Sequence, residues 1–246
     1  MICPTHHTEM RSLGATFVCP ACLSLGAQGA VKLLEDFAAK KATRLVEERI
    51  EGAGIPSTFA AATFQTWKAP SPRALHVAEV MGKYAKDFSR QRLARNGFIF
   101  IGPPGTGKTH IGCAIIQELA RTGFAPRYIS LPAFTREIKG SYSKPGHTDT
   151  LLRGVIDADF VVIDEIDLHG TSDVDYNTLY DIINGRYEKA GYPTLVISNR
   201  DLERLTSDLD VRIISRILGP TNPILFDWEN RRSTRLSKRK QEYVKA

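Results

Sequence analysis

Eight consecutive residues of this chain, Gly102, Pro103, Pro104, Gly105, Thr106, Gly107, Lys108 and Thr109, match G-x-x-x-x-G-K-[ST] at every fixed position. Glycines at those places let backbone N–H groups curl around a phosphate, and a helix opening at Lys108 adds positive potential there. The Lys108 ammonium is suited to the β- and γ-phosphates, and the Thr109 hydroxyl to Mg²⁺. His110, the next residue, is grouped with these nucleotide-binding candidates. ATP is therefore the expected ligand.

Two further segments carry matching chemistry. Phe160-Val-Val-Ile-Asp164-Glu165 is an apolar run ending in two acids. Asp164 at such a strand end can hold Mg²⁺ through water, and Glu165 can orient and polarise an attacking water. Thr194-Leu-Val-Ile-Ser-Asn199 is another apolar run with a polar end. Asn199 would sit near the γ-phosphate if its strand lies beside the first two. Together these pieces predict ATP binding and hydrolysis.

A separate constellation lies at the N-terminus. Cys3-Pro-Thr-His6 and Cys19-Pro-Ala-Cys22 form two C-x₂-[CH] hooks. Four soft ligands in two hooks suit tetrahedral Zn²⁺ with no position left open for catalysis. His7 is a rival for His6, although the two-residue gap favours His6. A knot of this size has too small a core to hold itself without metal. Cys113 lies in the helix after Lys108 and reads as a small buried apolar residue.

The elements that must position these groups follow from periodicity. Strand-sized runs occur at Phe98–Ile101, Arg127–Leu131, Phe160–Ile163, Thr194–Ser198 and Pro223–Phe226. Helical stretches lie between them at Lys108–Thr122, Ala133–Tyr142, Thr148–Asp157 and Tyr176–Ala190. Alternation of this kind predicts an α/β domain with a five-stranded parallel sheet flanked by helices. Ahead of it, Gly29–Glu51 reads as a helix with Leu34, Phe37, Lys41, Leu45 and Arg49 on one face. Gly52-Ala-Gly-Ile-Pro56 reads as a linker, and Pro72–Ala94 as a second helix with Leu75, Ala78, Met81, Ala85 and Phe88 at helical spacing. Gly140–Thr150 reads as a mobile loop. The expected division is a zinc-binding module at 1–25, a helix and linker at 26–53, and an ATPase domain at 54–246.

Composition agrees with a folded protein: 42% of the 246 residues are hydrophobic and 24% charged. No apolar run approaches the length of a membrane helix, and no basic segment precedes an apolar core at the N-terminus, so a cytoplasmic protein without a membrane partner is expected. The formal charge of +6 resides in the tail, where Arg231–Ala246 holds seven basic residues and one acid. A tail of that kind suits phosphate-rich partners.

These motifs in this order resemble the AAA+ ATPases, and more narrowly the DnaC/DnaI-type replicative helicase loaders and the related IstB transposition ATPases. The resemblance covers Gly54 to Lys240 and also includes Gly54-Ile-Pro56 with Ala62-Thr-Phe64, Arg212-x-x-x-Arg216, and Phe226-Asp-Trp228 followed by Arg231-Arg232. It implies that Ala62–Phe64, with Phe64 as the named contact, cup the adenine. It implies that Arg216 acts on the ATP of a neighbouring subunit, with Arg212 as its rival, and that Arg232 is the second sensor, with Arg231 and Arg235 as alternates. Arg212 and Arg216 can equally be read as a surface pair balancing Asp208 and Asp210. The resemblance further implies a homo-oligomer built through the ATP site and a groove for single-stranded DNA, for which Lys139, Tyr142, Lys144 and Tyr176 are the candidate contacts. The implied activity is slow ATP hydrolysis, stimulated by assembly or DNA, that times the loading of a DnaB-type helicase. The alternative is an IstB-like regulator of a transposase on duplex DNA. Some loaders also carry an N-terminal zinc module that contacts the helicase.

Overall fold

The computed structural model describes residues 1–13, 16–94, 97–167, 173–189, 192–218 and 223–230, with the main chain alone for 13, 16, 26–31 and 218. It divides into two compact units, Met1–Glu48 and Arg49–Ala246. Among the described residues no helix is long and apolar enough to cross a membrane.

The first unit begins with a turn that returns through an antiparallel hairpin, β1 (Arg11–Leu13) and β2 (Thr16–Val18), and then enters helix α1 (Pro20–Gly52). The helix starts well before the expected Gly29, because Pro20 has the fixed φ of a first helical position. Cys22 therefore lies in its first turn. The expected apolar face of α1 is not a buried one. Leu34 is 69% exposed, Phe37 68% and Leu45 41%.

The second unit holds a five-stranded parallel sheet in the order β4-β5-β6-β3-β7. Its strands are β3 (Phe98–Ile101), β4 (Pro126–Ser130), β5 (Phe160–Asp164), β6 (Thr194–Ile197) and β7 (Ile224–Leu225). Continuous apolar runs suit strands buried on both faces. Alternation sends Phe100, Phe160, Val162, Leu195 and Ile197 to one face and Ile99, Ile101, Val161, Ile163 and Val196 to the other.

The first face is covered by α2 (Pro72–Lys86), α3 (Phe88–Leu93) and α4 (Lys108–Arg121). The second is covered by α5 (Leu131–Ser141), α6 (His147–Ile156), α7 (Asp173–Glu188), α8 (Leu202–Asp208) and α9 (Val211–Leu218). Arg186 of α7 is 1% exposed, and its guanidinium donates to the carbonyls of Val155, Ile156, Ala158 and Pro193 and to the Thr194 hydroxyl. It ties the end of α6 to the start of β6 without a carboxylate partner in that set.

Three expectations are corrected here. The helix expected over Pro72–Ala94 is two helices, broken at Asp87, which caps the end of α2. Ala78, Met81, Ala85 and Phe88 are buried as their spacing implied, but Leu75 is 50% exposed. The stretch Gly140–Thr150 is mostly the end of α5 and the start of α6. Its short turn is closed by Ser141 Oγ at 2.6 Å from Thr148 Oγ1 and by the Lys144 N–H donating to Ser141 O. Nor is the segment after α1 a free linker. Ala53 is fully buried, and its carbonyl accepts from the Tyr128 N–H at 2.7 Å.

Candidate functional site

The phosphate loop bridges β3 and α4 at the C-terminal edge of the sheet, where open parallel sheets place their ligands. Two of its glycines are required sterically. Gly102 has φ +131, and a Cβ there would run into the Phe226 main chain. Gly107 has φ +95, and a Cβ there would run into the Trp67 ring.

The Lys108 ammonium donates to Gly102 O at 2.6 Å and Pro103 O at 2.8 Å, inside the curve of its own loop. The Thr106 hydroxyl donates to Pro103 O, and Trp228 Nε1 donates to Thr106 O at 2.8 Å. Two tryptophans thus pack on the loop, one before β3 and one after β7.

Below the loop, Thr109 Oγ1 donates to Asp164 Oδ2 at 2.7 Å. The two expected Mg²⁺ ligands therefore meet. Asp164 is 4% exposed and also accepts from the Tyr128 hydroxyl at 3.0 Å and the Glu165 N–H at 2.8 Å. Burial raises its pKa above the usual carboxylate value, opposed by these three hydrogen bonds. A divalent cation would favour the ionised form and offset that burial. Burial, with Asp164 beside it, likewise pushes the Tyr128 pKa upward.

Glu165 has φ +60, so the chain turns sharply after Asp164. Its side chain is exposed, and Oε2 accepts from the Ser130 hydroxyl at 2.6 Å. Register explains the meeting, since Ser130 at the end of β4 pairs with Asp164 at the end of β5. On the next strand, Asn199 donates from Nδ2 to Asp167 Oδ2 at 3.0 Å. The strand ends β4, β5 and β6 thus present Ser130, Asp164 with Glu165, and Asn199 along one edge.

The segment before α2 is clamped to α4. His110 Nε2 lies 3.0 Å from Thr63 O, and Gln117 Nε2 donates to the carbonyls of Ala60 and Ala62. The His110 ring also packs on Trp67, with centroids 5.2 Å apart. Phe64 is half-buried and lies against Gly82 of α2, beside the first core cluster.

Arg216 on α9 stacks over two aromatic rings of α7, with 5.7 Å to the Tyr180 centroid and 5.5 Å to Tyr187. Its Nη1 is buried without a hydrogen-bond partner among the described residues. Arg212 is engaged differently, donating from Nε and Nη2 to the two Asp210 oxygens at 3.2 and 3.1 Å. That pair holds the Asp210 carboxyl below its usual value. Arg200 pairs with Asp208 at 2.8 Å.

Tyr142 caps α5 and is 61% exposed, with Lys139 one turn earlier on the helix and Lys144 exposed in the following turn. Tyr176 is on α7, half-buried against the core of the second sheet face. Arg232, with its alternates Arg231 and Arg235 and the basic tail, lies outside the described residues.

In the first unit the ligand atoms of Cys3, His6, Cys19 and Cys22 all lie within 4.8 Å of one another. Cys3 Sγ is 3.8 Å from Cys22 Sγ, and His6 Nδ1 is 3.2 Å from Cys22 Sγ. Sulfurs about 2.3 Å from a tetrahedral zinc stand about 3.8 Å apart, so the set fits that ion. A hydrogen bond from the Thr8 hydroxyl, with one from the Cys22 backbone, brings the Cys19 thiol down to about 6.

Sequence reasoning missed Trp67, Tyr128, Ser130 and Asp167, and used Trp228 only as a landmark. Tyr128 and Ser130 alternate with the core residues of β4 at its C-terminal end, a signal that becomes readable once β4 is known to pair with β5.

The profile of IstB-like ATP binding proteins matches residues 28–218 of the chain. The replicative helicase loader DnaC of Escherichia coli (strain K12) is 26% identical over 182 residues, 73% of each chain. The Geobacillus stearothermophilus insertion sequence IS5376 putative ATP-binding protein is 26% identical over 172 residues, 69% of this chain and 64% of that protein. Among solved structures, the crystal structure of the DnaC helicase loader superposes with a TM-score of 0.62 at 19% identity, over 69% of this chain and 99% of that one. That likeness is one of fold. The Cys/His cluster precedes the residues matched by the family profile.

Proposed function

The chain belongs to the family of IstB-like ATP binding proteins, and from that premise we propose that it is an ATP-dependent loader of a DnaB-type replicative helicase onto single-stranded DNA. The observation that carries the reading is the contact of Thr109 with Asp164 beneath the Lys108 loop, in a chain similar to DnaC across 73% of its length.

On nucleotide binding, Lys108 exchanges the carbonyls of Gly102 and Pro103 for phosphate oxygens, and the loop N–H groups enclose the β-phosphate. Thr109 and Asp164 would hold Mg²⁺, which would supply neutralisation of phosphate charge. Glu165 orients the attacking water, and Asn199 approaches the γ-phosphate from the neighbouring strand end. Phe64 borders the adenine. Arg216 completes the site of an adjacent copy. Its cation lies over two aromatic faces with no carboxylate pair among the described residues, whereas Arg212, which also lies over Tyr180, is paired with Asp210. The protein is then a slow ATPase, quickened by assembly and by DNA, working in the cytoplasm as a homo-oligomer.

Single-stranded DNA is met by Tyr142 with Lys139 and Lys144, where an exposed ring can stack a base while cations meet phosphates. Tyr176, half-buried, is the weakest of the four. Cys3, His6, Cys19 and Cys22 would hold Zn²⁺, which would fix the fold of a docking module for the helicase.

The family match and the IS5376 relative favour a second reading, an ATPase that regulates a transposase on duplex DNA. Co-precipitation separates the two. The loader reading expects ATP-dependent capture of the DnaB-type helicase from the same genome, lost in Cys19→Ser. Capture of a transposase in its place, with no helicase, supports the second reading.

A further inference from the structure

Asp167 belongs to none of the motifs above, yet it receives more hydrogen bonds from the end of β6 than any other side chain described there. We propose that Asp167 is the positioning residue for Asn199, setting the amide that meets the γ-phosphate and attacking water. The proposal rests on the ATP-hydrolysis reading and names how this chain orients one of its parts.

The local backbone brings the two residues together. Glu165 turns the chain with φ +60, and the Ile166 N–H then donates to Ile197 O at 3.3 Å. The segment leaving β5 thus crosses to the end of β6 and delivers Asp167 opposite Ser198 and Asn199. Both carboxylate oxygens are used. Oδ1 accepts from Ser198 Oγ at 2.6 Å and from the Asn199 N–H at 3.1 Å. Oδ2 accepts from the same N–H at 3.2 Å and from Asn199 Nδ2 at 3.0 Å. Ser198 is fully buried, and its hydroxyl in turn accepts from the Arg200 N–H at 3.0 Å.

An asparagine side chain has two faces of opposite character, and a half-turn of its amide exchanges donor for acceptor. Asp167 removes that freedom, because only Nδ2 can donate to a carboxylate. With one N–H committed, Asn199 retains one N–H for a phosphate oxygen and Oδ1 for a proton of the attacking water. Donation to an anion also polarises the amide and makes Oδ1 a better acceptor. The backbone N–H of Asn199 is held by the same carboxylate, so the Cα is fixed along with the tip. Asp167 itself touches no reacting atom in this scheme.

The test is a double-mutant cycle over Asp167→Asn, Asn199→Ala and both together, measured on chains that melt within a few degrees of wild type. Asp167→Asn has the same shape but replaces one acceptor oxygen by an NH₂, so one tip meets the Asn199 N–H groups as a donor and the Asn199 amide is no longer held in one orientation. Turnover is expected to fall about tenfold while KM and MgADP affinity stay within twofold. The double variant is expected to be no slower than Asn199→Ala alone, because Asp167 acts only through that amide. A binding measurement reads the same effect without turnover: affinity for MgADP with aluminium fluoride should fall about tenfold in Asp167→Asn, and that for MgADP alone should not. Multiplicative losses in the cycle, or equal losses for both ligands, overturn the proposal. Wild-type turnover with unaltered Asp167→Asn turnover overturns it alone. Absence of wild-type turnover with single-stranded DNA present overturns the hydrolysis reading and this proposal with it.

Discussion

Thr109 and Asp164, 55 residues apart in the chain, meet at 2.7 Å. One opens helix α4 and the other closes strand β5, so the contact joins the phosphate loop to the acidic strand end. A buried acid in this position is poorly solvated until a cation arrives, and its raised pKa records that.

The sign of the pH effect follows. A carboxyl whose folded pKa is raised favours the fold most at low pH, and the benefit is lost as pH rises through the folded value. Metal-free wild type should therefore lose stability relative to Asp164→Asn as pH rises above the ordinary carboxylate value of about 4. Mg²⁺ with ATP should reverse the trend in wild type only. Thermal melts across that range, with and without Mg²⁺, check it. A wild-type curve parallel to that of Asp164→Asn contradicts it.

Both tryptophans of the chain lie on the phosphate loop, Trp67 against Gly107 and Trp228 on Thr106 O. Tryptophan emission should shift when MgATP enters the loop, and should not shift in Lys108→Ala. Trp228→Phe keeps an aromatic face but loses the N–H and the fused second ring of the indole, which should cost at least about 1 kcal/mol of stability in urea melts and weaken the emission change.

The metal cluster should behave as a unit separate from the nucleotide loop. Purified chain should carry one Zn²⁺, and Cys19→Ser should release it while MgATP affinity is retained. Metal analysis of protein prepared without chelator checks the first part, and nucleotide titration checks the second. Zinc-free native protein counts against the cluster.

Arg216 gives a test of assembly. Arg216→Ala should bind ATP normally and hydrolyse it at least about 10³-fold more slowly if its cation stabilises transition-state charge. Mixed with Lys108→Ala, it should regain activity, because one pairing supplies an intact loop and an intact arginine. No recovery, where wild-type chains associate, confines Arg216 to packing on Tyr180 and Tyr187.

Much of this site was legible because it is local. Gly102–Thr109, Phe160–Glu165 and Thr194–Asn199 each carry strand, turn and polar end within a few residues, and the alternation of strands and helices predicted the parallel sheet. The partners that hold those ends were not legible. Ser130 reaches Glu165 only because β4 pairs with β5, and Asp167 reaches Asn199 only because Glu165 adopts a positive φ before the chain crosses to β6. Helical spacing also misled, at Leu75 of α2 and more widely on α1. Leu34 and Phe37 of α1 repeat as a core face would, yet both stand exposed, since periodicity gives a face and not what covers it.

Helicase loading itself is the most direct test of the account. DnaB-type helicase from the same genome, a circular single strand and this chain should be combined with ATP, and DNA-bound helicase counted after gel filtration. The account predicts that wild type with ATP increases bound helicase severalfold, that Lys108→Ala does not, and that Glu165→Gln binds ATP without hydrolysing it and retains the helicase in a stalled complex with the loader. Equal helicase on DNA with and without this chain, under conditions where it binds ATP, would contradict the account.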